Sequence, residues 1–303
     1  MPFNNEEEIQ AEREKWNLTD EEFQDNFNSI FNELILIGNA SPSSKPTFIM
    51  VGGQAGCGKS MLVGKELRAL PEGAIAIDQD VLRTKHPKYQ QIHNTYTERE
   101  EFLLLKRYID RIVKTAIDKS SAEGYNLILE SALRSVSKFI EHTKELKAKG
   151  YDTKLSVLAV SPDEANLSMF TRFCEFLDRE GECRRNTRVD NDSVEKIPQN
   201  ISNMDNLGIF DDITISVRGT EPPEYLPTQV YSKKQSPEVP TVQVYLETIN
   251  KQRVKPEDFE RRYIDLRGRL SSYGQEVQVK RLDEFHDDFV KRNPNEQYPN
   301  LDD

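Results

Sequence analysis

The stretch Gly53-Gln54-Ala55-Gly56-Cys57-Gly58-Lys59-Ser60 constrains this chain more than any other. It fits G-x-x-x-x-G-K-[ST] without a gap and follows the apolar run TFIMV directly. Glycines at these positions let the backbone curl, so that several N–H groups face one phosphate. A helix starting near Lys59 adds the partial positive charge of its N-terminus. In such a loop the lysine reaches the β- and γ-phosphates, and the hydroxyl of Ser60 is a magnesium ligand. A merely flexible Gly-rich turn is the alternative. The strand before the loop and the helix after it favour a cradle for a nucleoside triphosphate.

The rest of the chain supports that context. Short apolar runs at 47–53, 73–78, 125–130, 154–161 and 212–217 read as strands. Helical patterns fall between them, at 59–70, about 97–119, 133–150 and from 162 to about 179. Near-continuous apolar strands alternating with helices predict an α/β fold, a parallel sheet covered on both faces. Before it, TDEEFQDNFNSIFNELILI (19–37) places Phe23, Phe27, Ile30, Phe31 and Leu34 at helical spacing, with Thr19 and Glu22 forming a capping box. The composition changes after Val217. Residues 221–240 carry five prolines and read as a linker or a strapped-down surface segment. From about 241 a polar helical pattern returns, with Pro256 suited to a first helical turn. The expected division is a P-loop kinase domain over 1–220, a Pro-rich linker over 221–240 and a helical C-terminal extension over 241–303.

Charge and cysteine content exclude several classes. A formal net charge of −11 argues against sequence-blind binding to nucleic acid or to an anionic membrane. Three cysteines without a CxxC or Cys/His cluster support neither a disulfide framework nor a zinc site. The acidic start MPFNNEEEIQ has no apolar core of a signal peptide, and no apolar stretch approaches a membrane span. The expectation is a cytoplasmic protein.

Two further groups carry chemistry. In open α/β sheets reacting groups sit beyond the carboxyl ends of the strands. The second strand ends in IDQD, which places Asp78 and Asp80 there, and the third ends in Glu130. A carboxylate at that edge can accept a proton from an attacking hydroxyl or help hold magnesium. An aspartate after a strand is equally well explained as a helix N-cap. The second group is TRFCEFLDREGECRRNTR (171–188), which holds Arg172, Arg179, Arg184, Arg185 and Arg188. A lid closing over phosphates would use such a cluster. A solvated helix face paired to Glu175, Asp178 and Glu182 is the bland reading. No N-K-x-D base-recognition motif marks a GTPase: the nearest text, NKQR, ends in Arg253. A small-molecule kinase is the simplest remaining class.

These segments resemble the zeta toxin family of bacterial toxin–antitoxin systems over about residues 18–220. The likeness runs through LTDEEFQDNF, VGGQAGCGKS, AIDQDVLRTKHPKY, GYNLILESALR, KGYDTKLSVLAV and the RF…RRNT segment. The spacing of Asp78, Asp80, His86 and Pro87 is more specific than the loop alone. The resemblance implies a P-loop, nucleotide-kinase-like fold. It implies a kinase using ATP or GTP with Mg2+ to phosphorylate the 3′-hydroxyl of the amino sugar in UDP-N-acetylglucosamine. Carried over, Asp80 is the base, Lys59 and Ser60 contact phosphate and metal, and Arg172 and Arg185 are the lid arginines on the γ-phosphate. Glu130 and Arg134 match the sugar-nucleotide side, and His86 is a further substrate-contact candidate.

Three departures qualify the likeness. The family's E-G-T-x-R segment is ESALR here, with Ser131 and Ala132 replacing a glycine and a threonine. A family glutamate falls near Lys114, and Arg184 and Arg188 add charge to the lid. The phosphoryl-transfer residues are therefore better matched than the sugar pocket. A kinase for another hydroxyl acceptor, or a nucleotide-binding regulatory module without turnover, stays open. The family's toxin is held by a separate small helical antitoxin. Residues 221–303 here could act as an internal restraint or as a solubilising or docking extension.

Overall fold

A computed structural model of the chain describes Phe3 and residues 6–181, 191–219 and 226–294. Two N-terminal helices, α1 (Glu6–Trp16) and α2 (Asp20–Ile37), lead into the central strand β1 (Thr47–Gly52) and the helix after the glycine-rich loop, α3 (Lys59–Ala69). Strand β2 (Ile75–Ile77) is followed by two short helices, α4 (Gln79–Thr84) and α5 (Tyr89–Thr95), and the long α6 (Glu98–Glu123). Then come β3 (Leu127–Ser131), α7 (Ser137–Ala148), β4 (Asp152–Ala159), α8 (Pro162–Glu180), α9 (Asn191–Asn206) and β5 (Asp212–Val217). The chain closes with β6 (Thr228–Ser232), α10 (Thr241–Lys251), α11 (Pro256–Ser272) and α12 (Glu276–Arg292).

The strands form one sheet in the order β2-β3-β1-β4-β5-β6 among the described residues. The first five are parallel, and β6 pairs antiparallel to β5. Successive residues of a strand face opposite sides, and here both sides are dry. Phe48, Met50, Leu127, Leu129, Leu155 and Val157 meet the aromatic stripe of α2 and the apolar face of α6. Ile49, Val51, Ile128 and Leu158 meet Leu62 and Val63 of α3 on the other face. Each such buried side chain contributes about 1.5–3 kcal/mol. The capping box expected for α2 forms: the Glu22 amide donates to Thr19 Oγ1 (3.2 Å), and the Thr19 amide donates to Glu22 Oε2 (2.8 Å).

Three features depart from the sequence reading. The Pro-rich stretch contains β6, so part of it extends the sheet. Helix α7 starts at Ser137 and not at 133, because Leu133 takes φ +55° with its side chain buried against Gly52. The polar tail packs through two apolar surfaces. Tyr245 of α10 joins the main core, while Phe259, Tyr263, Leu266, Leu282, Phe285 and Phe289 of α11 and α12 cover the apolar side of α8. Phe259 stacks on Phe289 with centroids 3.7 Å apart.

Candidate active site

The glycine-rich loop leaves the middle of the sheet. Gly52 lies in register with Ser131 of β3 and Val157 of β4, so the loop opens between the carboxyl ends of both neighbours. Two glycines are required by the backbone. Gly56 has φ +77°, and a Cβ there would come within 2.2 Å of the Ala165 carbonyl oxygen, because the first turn of α8 overhangs the loop. Gly58 has φ +96° and is the N-cap of α3, with no side-chain cap. The first amides of α3 therefore keep their donors for an anion.

The loop is fixed from both sides. Gln54 is buried and donates through Nε2 to the carbonyls of Val160 (3.1 Å) and Ser161 (3.2 Å). Lys59 Nζ donates to the carbonyls of Gly53 (3.0 Å) and Gln54 (3.1 Å), which folds the ammonium over the loop. Ala55 and Ser60 are exposed at its rim. Cys57 is buried, and burial pushes its thiol up, so it fills space beneath the loop as a protonated group.

Carboxylates line the same edge. Asp78 caps α4, accepting from the amides of Asp80 (2.8 Å) and Val81 (3.4 Å). That cap presents Asp80 outward in the first turn, with its side chain 84% exposed and paired to Arg83 at 2.8 Å. Glu130, one residue before the end of β3, lies beside Val51. Burial, with Asp78 and Asp80 nearby, pushes its carboxyl up to about 7, while Lys59 acts in the opposite direction. Asp78, Asp80, Lys59 and Glu130 thus share one electrostatic neighbourhood at the mouth of the loop.

The other sequence candidates are placed differently. His86 is 4% exposed, with its ring edge-on to Tyr108 (4.6 Å) and its Nδ1 accepting from the Lys88 amide (3.1 Å). Burial lowers its pKa to about 4. The sequence offered His86 as a substrate contact; the structure gives it a neutral, enclosed place behind α4. Arg134 is exposed just past β3, and its carbonyl accepts from Asn200 (3.3 Å). Arg172 is exposed on α8. Arg184, Arg185 and Arg188 lie outside the described residues. Lys114 is paired to Asp118 (2.9 Å) on the solvent side of α6. Sequence reasoning missed Arg218, the residue after β5. Its Nε lies 4.0 Å from where a Cβ on Gly58 would sit. A lone arginine after a strand carries no motif; only its place at the carboxyl edge of β5 could have marked it.

A six-stranded, mostly parallel sheet with a phosphate-type loop at its centre and carboxylates at its edge defines a P-loop, nucleotide-kinase-like α/β protein. The Zeta toxin family model matches residues 35–226. The chain is 30% identical over 201 residues to the toxin zeta of Streptococcus pyogenes, which covers 66% of this chain and 69% of that one. The solved toxin–antitoxin system PezAT of Streptococcus pneumoniae has a chain that superposes with a TM-score of 0.69 at 24% identity, covering 85% of this chain and 98% of that one. The AvrRxo1-ORF1:-ORF2 structure with ATP superposes at a TM-score of 0.53 and 12% identity, over 93% and 91% of the two chains. The two structural likenesses show the shared fold. The chain belongs to the zeta toxin family.

Proposed function

We propose that this chain is an ATP- or GTP-dependent kinase that transfers the γ-phosphate to a sugar hydroxyl, the 3′-OH of UDP-N-acetylglucosamine. Membership of a family of kinase-like toxins supports the reaction class. The observation that carries the reading is the convergence of Lys59, Asp80 and Glu130 at one sheet edge, beside a helix N-terminus that no side chain caps.

Phosphoryl transfer asks a protein mainly for positioning and for charge. The amides at the start of α3 and the Lys59 ammonium hold the polyphosphate. Lys59 needs only to exchange its two carbonyl acceptors for phosphate oxygens. Asp80, exposed and aimed by Arg83, takes the proton from the attacking hydroxyl. Arg172, with Arg185, neutralises charge on the transferred group. Glu130 and Arg134 face the acceptor. Among the described residues no three His, Cys, Asp or Glu side chains gather as a metal cage would. Magnesium, whose chemistry is to neutralise phosphate charge, would be held by Ser60 together with the nucleotide's own oxygens. PezAT is a toxin–antitoxin system, which supports a small antitoxin as partner here. No described helix is long and apolar enough to cross a membrane, in keeping with a cytoplasmic site of action.

One observation favours another acceptor as the second reading. Ser131 turns inward, its Oγ accepting from the Leu133 amide (3.0 Å), and Ala132 stands where the family's threonine hydroxyl would be. The test is product mass after incubation with ATP, magnesium and UDP-N-acetylglucosamine. One added phosphate on the sugar nucleotide, absent with Asp80→Ala, supports the proposal. ATP turnover only with a different alcohol moves the acceptor, and nucleotide binding without turnover on any acceptor refutes the kinase.

A further inference from the structure

Helix α8 begins with Pro162-Asp163-Glu164, and its first turn overhangs the phosphate loop at Gly56. Two carboxylates there oppose a triphosphate, since like charges within a few ångströms repel strongly where solvent is partly excluded. The C-terminal extension answers both. Arg262 of α11 donates to Glu164 Oε2 (2.6 Å), and Arg292 of α12 donates to both oxygens of Asp163 (2.8 and 3.2 Å). The other oxygen of Glu164 accepts from Arg218 Nη1 (3.1 Å), which also donates to Ser168 Oγ (2.7 Å).

Counting charge over this group decides its character. Arg218 and Glu164 alone would cancel. With Arg262 added, the cluster of two guanidiniums and one carboxylate carries a net charge of +1, beside the N-terminus of α3. Arg218 remains 40% exposed, so its free edge can be reached from the loop, and it is also held by Ser168, whose hydroxyl itself donates to Glu164 Oε1 (3.1 Å). The extension is anchored in this position by its apolar contacts with α8 and by Gln252, which donates to the Ala159 carbonyl at the end of β4 (3.0 Å).

We propose that Arg218 is a second cationic ligand of the nucleoside triphosphate held by the loop, and that Arg262 of the C-terminal extension is its positioning partner, freeing it by neutralising Glu164. The inference rests on the nucleotide-binding reading of the loop. It makes the extension an electrostatic part of the nucleotide site. An arginine–phosphate contact is a charge-assisted hydrogen bond, whose loss weakens binding by about tenfold or more.

The test is titration of a fluorescent ATP analogue in magnesium buffer against the full chain, with thermal unfolding of every variant in parallel. Arg218→Met is expected to weaken binding about tenfold. Arg262→Met is expected to weaken it about threefold to tenfold, because Glu164 then cancels Arg218. The double variant Arg262→Met with Glu164→Gln is expected to return to within about twofold of wild type, which a purely structural role for Arg262 would not produce. Arg218→Met binding like wild type, while Lys59→Ala loses binding, overturns this inference and leaves the loop reading intact. So does an Arg262→Met defect that Glu164→Gln fails to restore. A wild-type chain that binds no nucleotide overturns both.

Discussion

Arg83 donates from Nη2 to Asp80 Oδ1 at 2.8 Å, one turn along the same six-residue helix. The carboxylate proposed as the base is therefore aimed by a neighbour whose own guanidinium lies over the Phe102 ring. With the carboxylate 84% exposed and the guanidinium 17% exposed, the ion pair itself contributes within about 1 kcal/mol to stability, so its consequence is orientation. Arg83→Met is expected to leave the unfolding midpoint nearly unchanged and to lower the phosphoryl-transfer rate about tenfold, since small misplacements of a reacting group are costly. Steady-state kinetics beside a urea melt check both halves.

Glu130 gives a pH dependence of defined sign. Its carboxyl is raised from 4.5 to about 7 in the folded protein, so the fold holds this proton more tightly than the unfolded chain does. Its contribution to stability is fully present below about 4.5 and declines as pH rises to about 7. Glu130→Gln removes that loss. The variant should gain stability over wild type between pH 4.5 and 7, reaching about 3 kcal/mol above pH 7. Denaturant unfolding at pH 4.5, 6 and 8 checks it.

His86 has the opposite sign. Its pKa is lowered from 6.5 to about 4, so its contribution is present above 6.5 and is lost as pH falls toward 4. Between about 4.5 and 6.5 the two residues offset each other in wild type. His86→Gln should remove the acid-side loss, so that lowering the pH through this window stabilises the variant more than wild type. Unfolding midpoints across the window read the difference.

The loop glycines separate steric from conformational cost. Gly56→Ala sets a Cβ against the Ala165 carbonyl and should both destabilise the fold and abolish nucleotide binding. At Gly58 the nearest atoms are 3.8 and 4.0 Å away, so Gly58→Ala carries only the left-handed backbone penalty, about 1–2 kcal/mol. Nucleotide titration and melts of the two variants should differ accordingly.

Helices and strands with strong periodicity were legible in the sequence, as were the loop and the Thr19–Glu22 cap, because each obeys a local rule. Gly56 and Gly58 occupy backbone conformations that few other residues accept, which is why both positions read as glycine in the sequence. Strand β6 was hidden by its proline-rich surroundings and by pairing on one side only. Helices α4 and α5 are too short to show a period. The docking of the tail depends on Phe259, Phe285 and Phe289 meeting Phe170 and Phe173, a long-range match that composition does not reveal. Asp80 and Glu130 could be placed at the sheet edge from strand ends alone. Arg218 and the enclosure of His86 could not, since both follow from packing between distant segments.

In the proposed reaction the loop holds the nucleotide while Asp80 readies the hydroxyl. Transfer of labelled γ-phosphate to UDP-N-acetylglucosamine, measured for wild type and Asp80→Asn beside the nucleotide Kd of each, tests it most directly. Transfer should fall by about 10²–10⁴ with Kd unchanged within about twofold. Transfer that persists in Asp80→Asn, or a loss of nucleotide binding that accounts for the whole defect, would contradict it.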